Sequence, residues 1–259
     1  MNMKKLLYIF SLLALATSCE LFELDNYDGP DAAISGNIID AKTGENLAVE
    51  CKFGNMFGGA YTGAPTEGYF SVYQKGWDYE AAQYWHLKNN GTYRNALVFS
   101  GTYRIEATAN NFYPVTKDDV VINPGENVLD WEVTPYVRII DPDVQLTADD
   151  KFVATFKCEF GDPSQANRIV NAVLCCYPDT FVGMYCNYCD TDPGASSTAI
   201  VADGETVNTL TIDPSLPDNQ DEFKYDNKYH YLRIAVCAEG DGVNTGRHYN
   251  YSHTFKIKR

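Results

Sequence analysis

Ile34-Ser35-Gly36-Asn37-Ile38-Ile39-Asp40 runs into Ala41-Lys42-Thr43-Gly44-Glu45-Asn46-Leu47 and then into Val49-Glu50-Cys51-Lys52-Phe53. The outer stretches are short and rich in β-branched and apolar residues, the second of them alternating with polar ones. The middle stretch is polar, and Gly44 suits a turn that needs positive φ. The unit reads as strand, turn, strand.

The same pattern continues along the chain. Tyr69-Phe70-Ser71-Val72-Tyr73, Ala96 to Phe99, Thr102 to Ala107, Val120 to Ile122 and Val128 to Val133 read as strands. Asn90-Gly91, Ser100-Gly101 and Asn123-Pro124-Gly125 separate them as turn signals. From Pro135 the composition shifts. Val137 to Ile140 reads as a first strand of a second unit. In Lys151 to Phe160, residues Phe152, Ala154, Phe156, Cys158 and Phe160 share one face, as in a half-buried antiparallel strand. Arg168 to Tyr177 is more continuously apolar and suits a central strand, with Phe181 to Tyr188 as its hairpin partner. Thr209 to Ile212, Tyr229 to Val236 and the edge strand Tyr249 to Ile257 follow. No run has a helical period. The expected fold is all-β, with two β-sandwich domains over residues 31–134 and 135–259. A chain of 259 residues with 45% hydrophobic content suits two small cores.

The N-terminus reads as a leader. Lys4 and Lys5 precede an apolar run from Leu6 to Ala16, which is too short to cross a bilayer and has the parts of a secretory signal. Ala16-Thr17-Ser18-Cys19 is similar to a bacterial lipobox, with Leu15 one place further out than usual. Residues 1–18 are therefore expected to be a signal peptide. Cys19 is expected to be the lipid attachment, and residues 19–30 an acidic tether. Several acyl chains would hold such a terminus in a membrane. Glu20, Glu23, Asp25 and Asp28 resemble the surface-export signal of lipoproteins in Bacteroides-type bacteria. The expected location is the outer membrane, lipid-anchored and facing the exterior. A formal charge of −15 argues against nucleic acid as a partner.

Strand, Asp-x-x-Thr-Gly-Glu, strand at residues 34–53 resembles the start of carboxypeptidase-regulatory or transthyretin-like sandwiches. Leu24 to Asp31, Asn90-Gly91-Thr92-Tyr93, Phe99-Ser100-Gly101-Thr102-Tyr103 and Val133-Thr134-Pro135-Tyr136 widen the likeness. Together they resemble a family of Bacteroides-type lipoproteins of unknown function from polysaccharide-utilisation loci. The resemblance implies a regulatory-like sandwich followed by an immunoglobulin-like one. It also implies a polysaccharide or oligosaccharide ligand, and as partners a starch-utilisation-type transporter barrel and its lipoprotein lid. Tyr229 to Val236, the glycine loop after it and Tyr249 to Ile257 resemble the last hairpin of fibronectin type III-like modules, which mostly bind or space.

Trp77, Tyr79, Tyr84 and Trp85 are the candidate ligand-binding residues. They form a dense aromatic cluster among Asp78, Glu80, Gln83 and His86. Flat sugar C–H faces pack on such rings, with polar neighbours taking the hydroxyls. The bland alternative is that the rings fill the core, and at least one of Trp77, Tyr79 and Trp85 is expected to be exposed.

No metal, cofactor or catalytic site is expected. The histidines lack metal spacing, and no nucleophile elbow, phosphate loop or dinucleotide fingerprint occurs. No flanking signature picks out a glycosidase carboxylate pair. Asp190-Thr191-Asp192-Pro193-Gly194 begins like a calcium loop but lacks its closing glutamate. Cys175, Cys176, Cys186 and Cys189 lack the spacing of zinc knuckles. They read as small buried hydrophobes in strands, with one or two disulfides as the alternative. A Cys158–Cys237 bridge fails on parity, because Leu232, Ile234 and Val236 face the core and turn Cys237 away. The expected function is a non-catalytic, glycan-binding surface accessory of polysaccharide uptake. The alternative is a structural spacer in the transporter complex.

Overall fold

The computed structural model describes residues 28–50, 52–53, 65–187, 200–240, 243 and 248–259, without the side chains of 52–53 and 65–67. Cys19, the tether up to residue 27, and the 190–194 loop lie outside them. All regular structure among the described residues is β.

The first sandwich has two sheets. One contains β1 (Ala32–Asp40), β6 (Thr92–Val98), β9 (Gly125–Val128) and β10 (Trp131–Val133), while β2 (Lys52–Phe53) and β3 (Pro65–Glu67) form a separate ribbon. The other runs in the order β5 (Gln83–His86), β4 (Tyr69–Gln74), β7 (Gly101–Ala107), β8 (Val115–Ile122). Ile34 and Ile38 of β1, Phe70 and Val72 of β4, Tyr103 and Ile105 of β7, and Trp131 of β10 fill the space between the sheets. Phe70 stacks on Trp131, with ring centroids 4.7 Å apart.

Residues 128–133 depart from the single strand expected there. β9 pairs in parallel with the first half of β1, and β10 in parallel with its second half. Between them, Leu129 and Asp130 cross over Gly36. The Leu129 amide donates to the Ser35 carbonyl at 2.9 Å, and the Tyr93 hydroxyl donates to the Leu129 carbonyl at 2.6 Å. A Cβ at Gly36 would lie 2.0 Å from the Leu129 oxygen, so only glycine admits this crossing.

The second sandwich pairs β11 (Val137–Leu146), β12 (Phe152–Phe160) and β14 (Asn208–Ile212) against β13 (Ala166–Tyr177), β15 (Tyr229–Gly240), β16 (Tyr249–Tyr251) and β17 (Phe255–Lys258). Phe152, Ala154, Phe156 and Cys158 are buried on one face of β12, as the alternation predicts. The partner of β13 is β15; residues 181–187, the described part of the expected hairpin partner, do not pair with it, and β13 is an edge strand of its sheet. Residues 178–187 instead fold over the outer face of that sheet, where Val182 packs with Cys175, Ala235, Cys237, Tyr249 and Tyr251. This cover buries β13 and β15 on both faces. The apolar run in β13 therefore reflects burial on both sides, not a central place in the ladder. Leu232, Ile234 and Val236 face the inner core, whereas Cys237 faces the outer layer. Cys158 and Cys237 thus lie in different layers, as the parity argument requires. Cys158, Cys175, Cys176 and Cys237 are all buried as small hydrophobes.

A buried polar seam joins the two sandwiches. Arg138 of β11 holds Asp40 of β1 through two nitrogens. The Asn111 amide donates to the carbonyls of Ala48 (2.8 Å) and Tyr249 (3.1 Å), while Asn250 donates to the Asn111 carbonyl at 2.8 Å. Arg233, almost wholly buried on β15, reaches the Asn89 carbonyl at 3.0 Å, and the Tyr251 hydroxyl donates to the Glu50 carboxylate. Backbone groups at strand ends need such partners once water is excluded.

Candidate functional site

The connection from β4 to β5 decides where the aromatic cluster goes. It turns at Gly76, whose φ of 96° disfavours other residues. Trp77 and Tyr79 follow on this connection and are 51% and 83% exposed. The chain then enters β5, where pairing with β4 sets alternation. Trp85 lies opposite Phe70, which points into the core, so Trp85 points there too and is 3% exposed. The placement of Trp85 in a ligand-binding face is therefore corrected: it is a core residue, its ring 5.9 Å from that of Tyr103. Tyr84 lies opposite Ser71 on the outer face, edge-on to Tyr69 at 5.3 Å. It is exposed but away from the pocket described next.

Trp77 and Tyr79 border an open pocket of about 590 Å³ at one end of the first sandwich. Phe99, 41% exposed, supplies a third ring. Gln74, Gln83, Ser100 and Asp28 complete the polar rim, with Ala81. Of the polar neighbours expected from sequence, Gln83 lines this pocket, whereas Asp78, Glu80 and His86 do not. Gln83 shares the inward side of β5 with Trp85. It sits at the mouth of the sandwich, where the core ends.

The wall carrying Phe99 is fastened from below. The buried Tyr103 hydroxyl donates to the Phe99 carbonyl at 2.6 Å. Burial, with the nearby Asp31 charge, pushes the Tyr103 hydroxyl up to about 12, so it remains a donor at neutral pH. Asp31 accepts from the Ser100 amide (2.6 Å) and the Ser100 hydroxyl (2.8 Å). Those two bonds, the amide first, hold the Asp31 carboxyl below its usual range. The Gln74 amide rests against the same turn, where a Cβ at Gly101 would lie 3.2 Å from it.

Sequence reasoning located Trp77 and Tyr79 but missed Phe99, Gln74, Ser100 and Asp28. Phe99 reads as the end of a strand. The signal that could have marked it is a large aromatic directly before the Ser100-Gly101 turn, where alternation into the core stops. The joining of residues 28, 74–83 and 99–100 needs the sheet register and is invisible in one dimension.

The arrangement offers three exposed rings with amide, hydroxyl and carboxylate groups around them. A second cleft, of about 640 Å³, lies along the seam between the sandwiches. Four of its charged lining residues, Asp40, Arg138, Lys42 and Glu159, are tied to one another, with Lys42 Nζ 2.6 Å from Glu159; Glu45 and Arg233 line it as well. Among the described residues, no group of three or more His, Cys, Asp or Glu side chains converges to hold a metal.

Comparison with known proteins relates the chain to others of the same fold. Residues 32–134 match the profile described as "Protein of unknown function (DUF3823) N-terminal domain". A solved structure from Bacteroides uniformis, described as a "putative carbohydrate binding protein", is 30% identical. The alignment covers 89% of this chain and all of that one, with a TM-score of 0.73. DUF3823 proteins from Parabacteroides merdae (20% identity, 89% of this chain and 100% of that one, TM-score 0.63) and Bacteroides ovatus (19%, 88% and 99%, 0.64) share the fold. No curated protein matches the chain. The likeness to the Bacteroides uniformis protein spans both sandwiches and makes the two chains members of one family, and residues 32–134 belong to the DUF3823 N-terminal domain family of unknown function.

Proposed function

We propose that this chain is a lipid-anchored surface protein that binds glycan in the pocket of Trp77, Tyr79 and Phe99, as a non-catalytic accessory of polysaccharide uptake. The observation that carries the reading is the exposure of Trp77 and Tyr79 on a pocket whose rim is amide, hydroxyl and one carboxylate. Large exposed aromatics are informative, because folding normally buries them. Sugar C–H faces match the rings, and the rim groups match sugar hydroxyls as donors and acceptors. The description of the Bacteroides uniformis relative supports the same ligand class. Capture beside a transporter would raise the local glycan concentration. The leader, Cys19 and the acidic residues after it support anchoring at the outer membrane.

Affinity electrophoresis of the purified protein against a glycan panel tests the reading. Retardation by at least one glycan, lost in Trp77→Ala, is expected; no retardation by any of them would sink it. Release of reducing sugar from the same panel would point to an enzyme instead. Cys19→Ala should leave the membrane fraction entirely, and a variant that stays there would refute the anchor. The buried seam favours a second reading, since it fixes the two sandwiches in one orientation, as a spacer needs. Recovery of the protein in a transporter complex without glycan retardation would favour the spacer.

A further inference from the structure

We infer that the aromatic pocket selects neutral glycans and rejects those bearing carboxylate or sulfate, a specificity that rests on the glycan reading above. The side chains lining the pocket are aromatic, amide, hydroxyl, methyl and one carboxylate, that of Asp28. Among the described residues, no Lys, Arg or His lines it. Among residues 51–67, whose side chains are not described, Lys52 is the one basic residue; its backbone pairs with Glu67, just ahead of the Tyr69 end of β4, whereas the pocket lies at the Gln74 end of that strand.

The two cations nearest in sequence to the pocket are already engaged. Lys75, which follows Gln74, is held by Asp118 and by Asp119, the latter at 2.8 Å. Arg104 pairs with Glu106 at 3.0 Å and lies over the Tyr73 ring on the outer face of the sheet. Behind the pocket wall, Asp31 adds a second carboxylate, fixed on Ser100. The local field is negative, in a chain whose formal charge is −15.

A uronate or sulfate entering here would give up hydration and meet no cation, next to a carboxylate of the same sign. A neutral sugar meets no such penalty. Gln74 and Gln83 each both donate and accept, as sugar hydroxyls do, and the Ser100 hydroxyl, whose proton goes to Asp31, accepts. Systems that bind acidic glycans need Arg or Lys to meet the anion, and this pocket lacks them.

Isothermal calorimetry of the purified protein with neutral glycans (glucans, mannans, xylans, galactans) and acidic ones (polygalacturonate, alginate, chondroitin sulfate) tests the inference. At least one neutral glycan should bind, and Trp77→Ala should weaken that binding about thirtyfold. The acidic glycans should bind roughly ten- to a hundredfold more weakly, as a close like charge implies. Gln83→Lys should narrow that gap. Acidic-glycan binding as tight as neutral, and weakened to the same degree by Trp77→Ala, would overturn the selectivity while leaving the glycan reading intact. Absence of binding by every glycan, with the fold shown intact by thermal melting, would overturn both.

Discussion

Arg138 grips Asp40 across the junction of the two sandwiches, with Nε 2.6 Å from Oδ2 and Nη2 2.9 Å from Oδ1. Both side chains are buried, so neither charge can turn to water. Glu159 adds a further contact to Arg138 at 3.3 Å. Removing one partner strands the other, which typically costs about 3–5 kcal/mol. Asp40→Asn and Arg138→Met should each lower stability by about that range, while the double variant loses much less than the sum. Urea unfolding of the two single variants and the double variant checks this. Strict additivity would show that the pair is not coupled.

Trp77 and Trp85 lie eight residues apart in the chain, and they should respond oppositely to truncation. Trp85→Ala removes a buried ring beside Tyr103 and should cost about 3–5 kcal/mol of stability. Trp77→Ala should leave the melting temperature close to that of the parent and weaken glycan binding by about thirtyfold, the effect of losing a ~2 kcal/mol anchor. Thermal melting and calorimetry on both variants separate the roles. A large stability loss in Trp77→Ala would assign that ring to structure.

Gly36 is required by the crossing of Leu129. Gly36→Ala drives a methyl to 2.0 Å from a backbone oxygen, where only movement of β9 or β10 relieves it. A destabilisation of about 1–3 kcal/mol or more follows from such overpacking. Gly44→Ala is a different case. Its Cβ would meet nothing within 4 Å, and only its φ of 73° opposes the change. That variant should lose about 1 kcal/mol. Equal losses at the two sites, measured by denaturant unfolding, would argue against the crossing as the cause.

Two turns of the second sandwich should weaken in acid. The Thr206 amide, the Thr206 hydroxyl and the Glu205 amide hold Asp203 at about 2. The Ser215 hydroxyl, and then Lys151, hold Asp213 at about 2. Both values lie below the roughly 3.9 of an unfolded aspartate. A carboxyl depressed in the folded state adds stability that is complete above the unfolded value and is lost as pH falls through the folded one. Stability should therefore fall between about pH 4 and pH 2, and Asp203→Asn should flatten that slope. Thermal melts across this window check it; an unchanged slope would show that the turn does not contribute.

What the sequence determined by itself is the local grammar. Alternation in Phe152 to Cys158 and glycine turns at Gly44 and Gly91 specify strands and their ends, because side-chain direction in a strand has a period of two. The same parity argument placed Leu232, Ile234 and Val236 on one face and Cys237 on the other. The clustering of aromatics among polar residues picked out Trp77 and Tyr79. Tertiary structure decided the rest. Trp85 went inside because β5 pairs with β4 in the register that sets it opposite Phe70, and a shift of one residue would have exposed it. Residues 178–187 became a cover over β13 and β15 because the outer face of that sheet was apolar and had to be buried. The pocket was assembled from residues 28, 74–83 and 99–100 by strand pairing. Long-range register is a property of the whole packed core, and no window along the chain contains it.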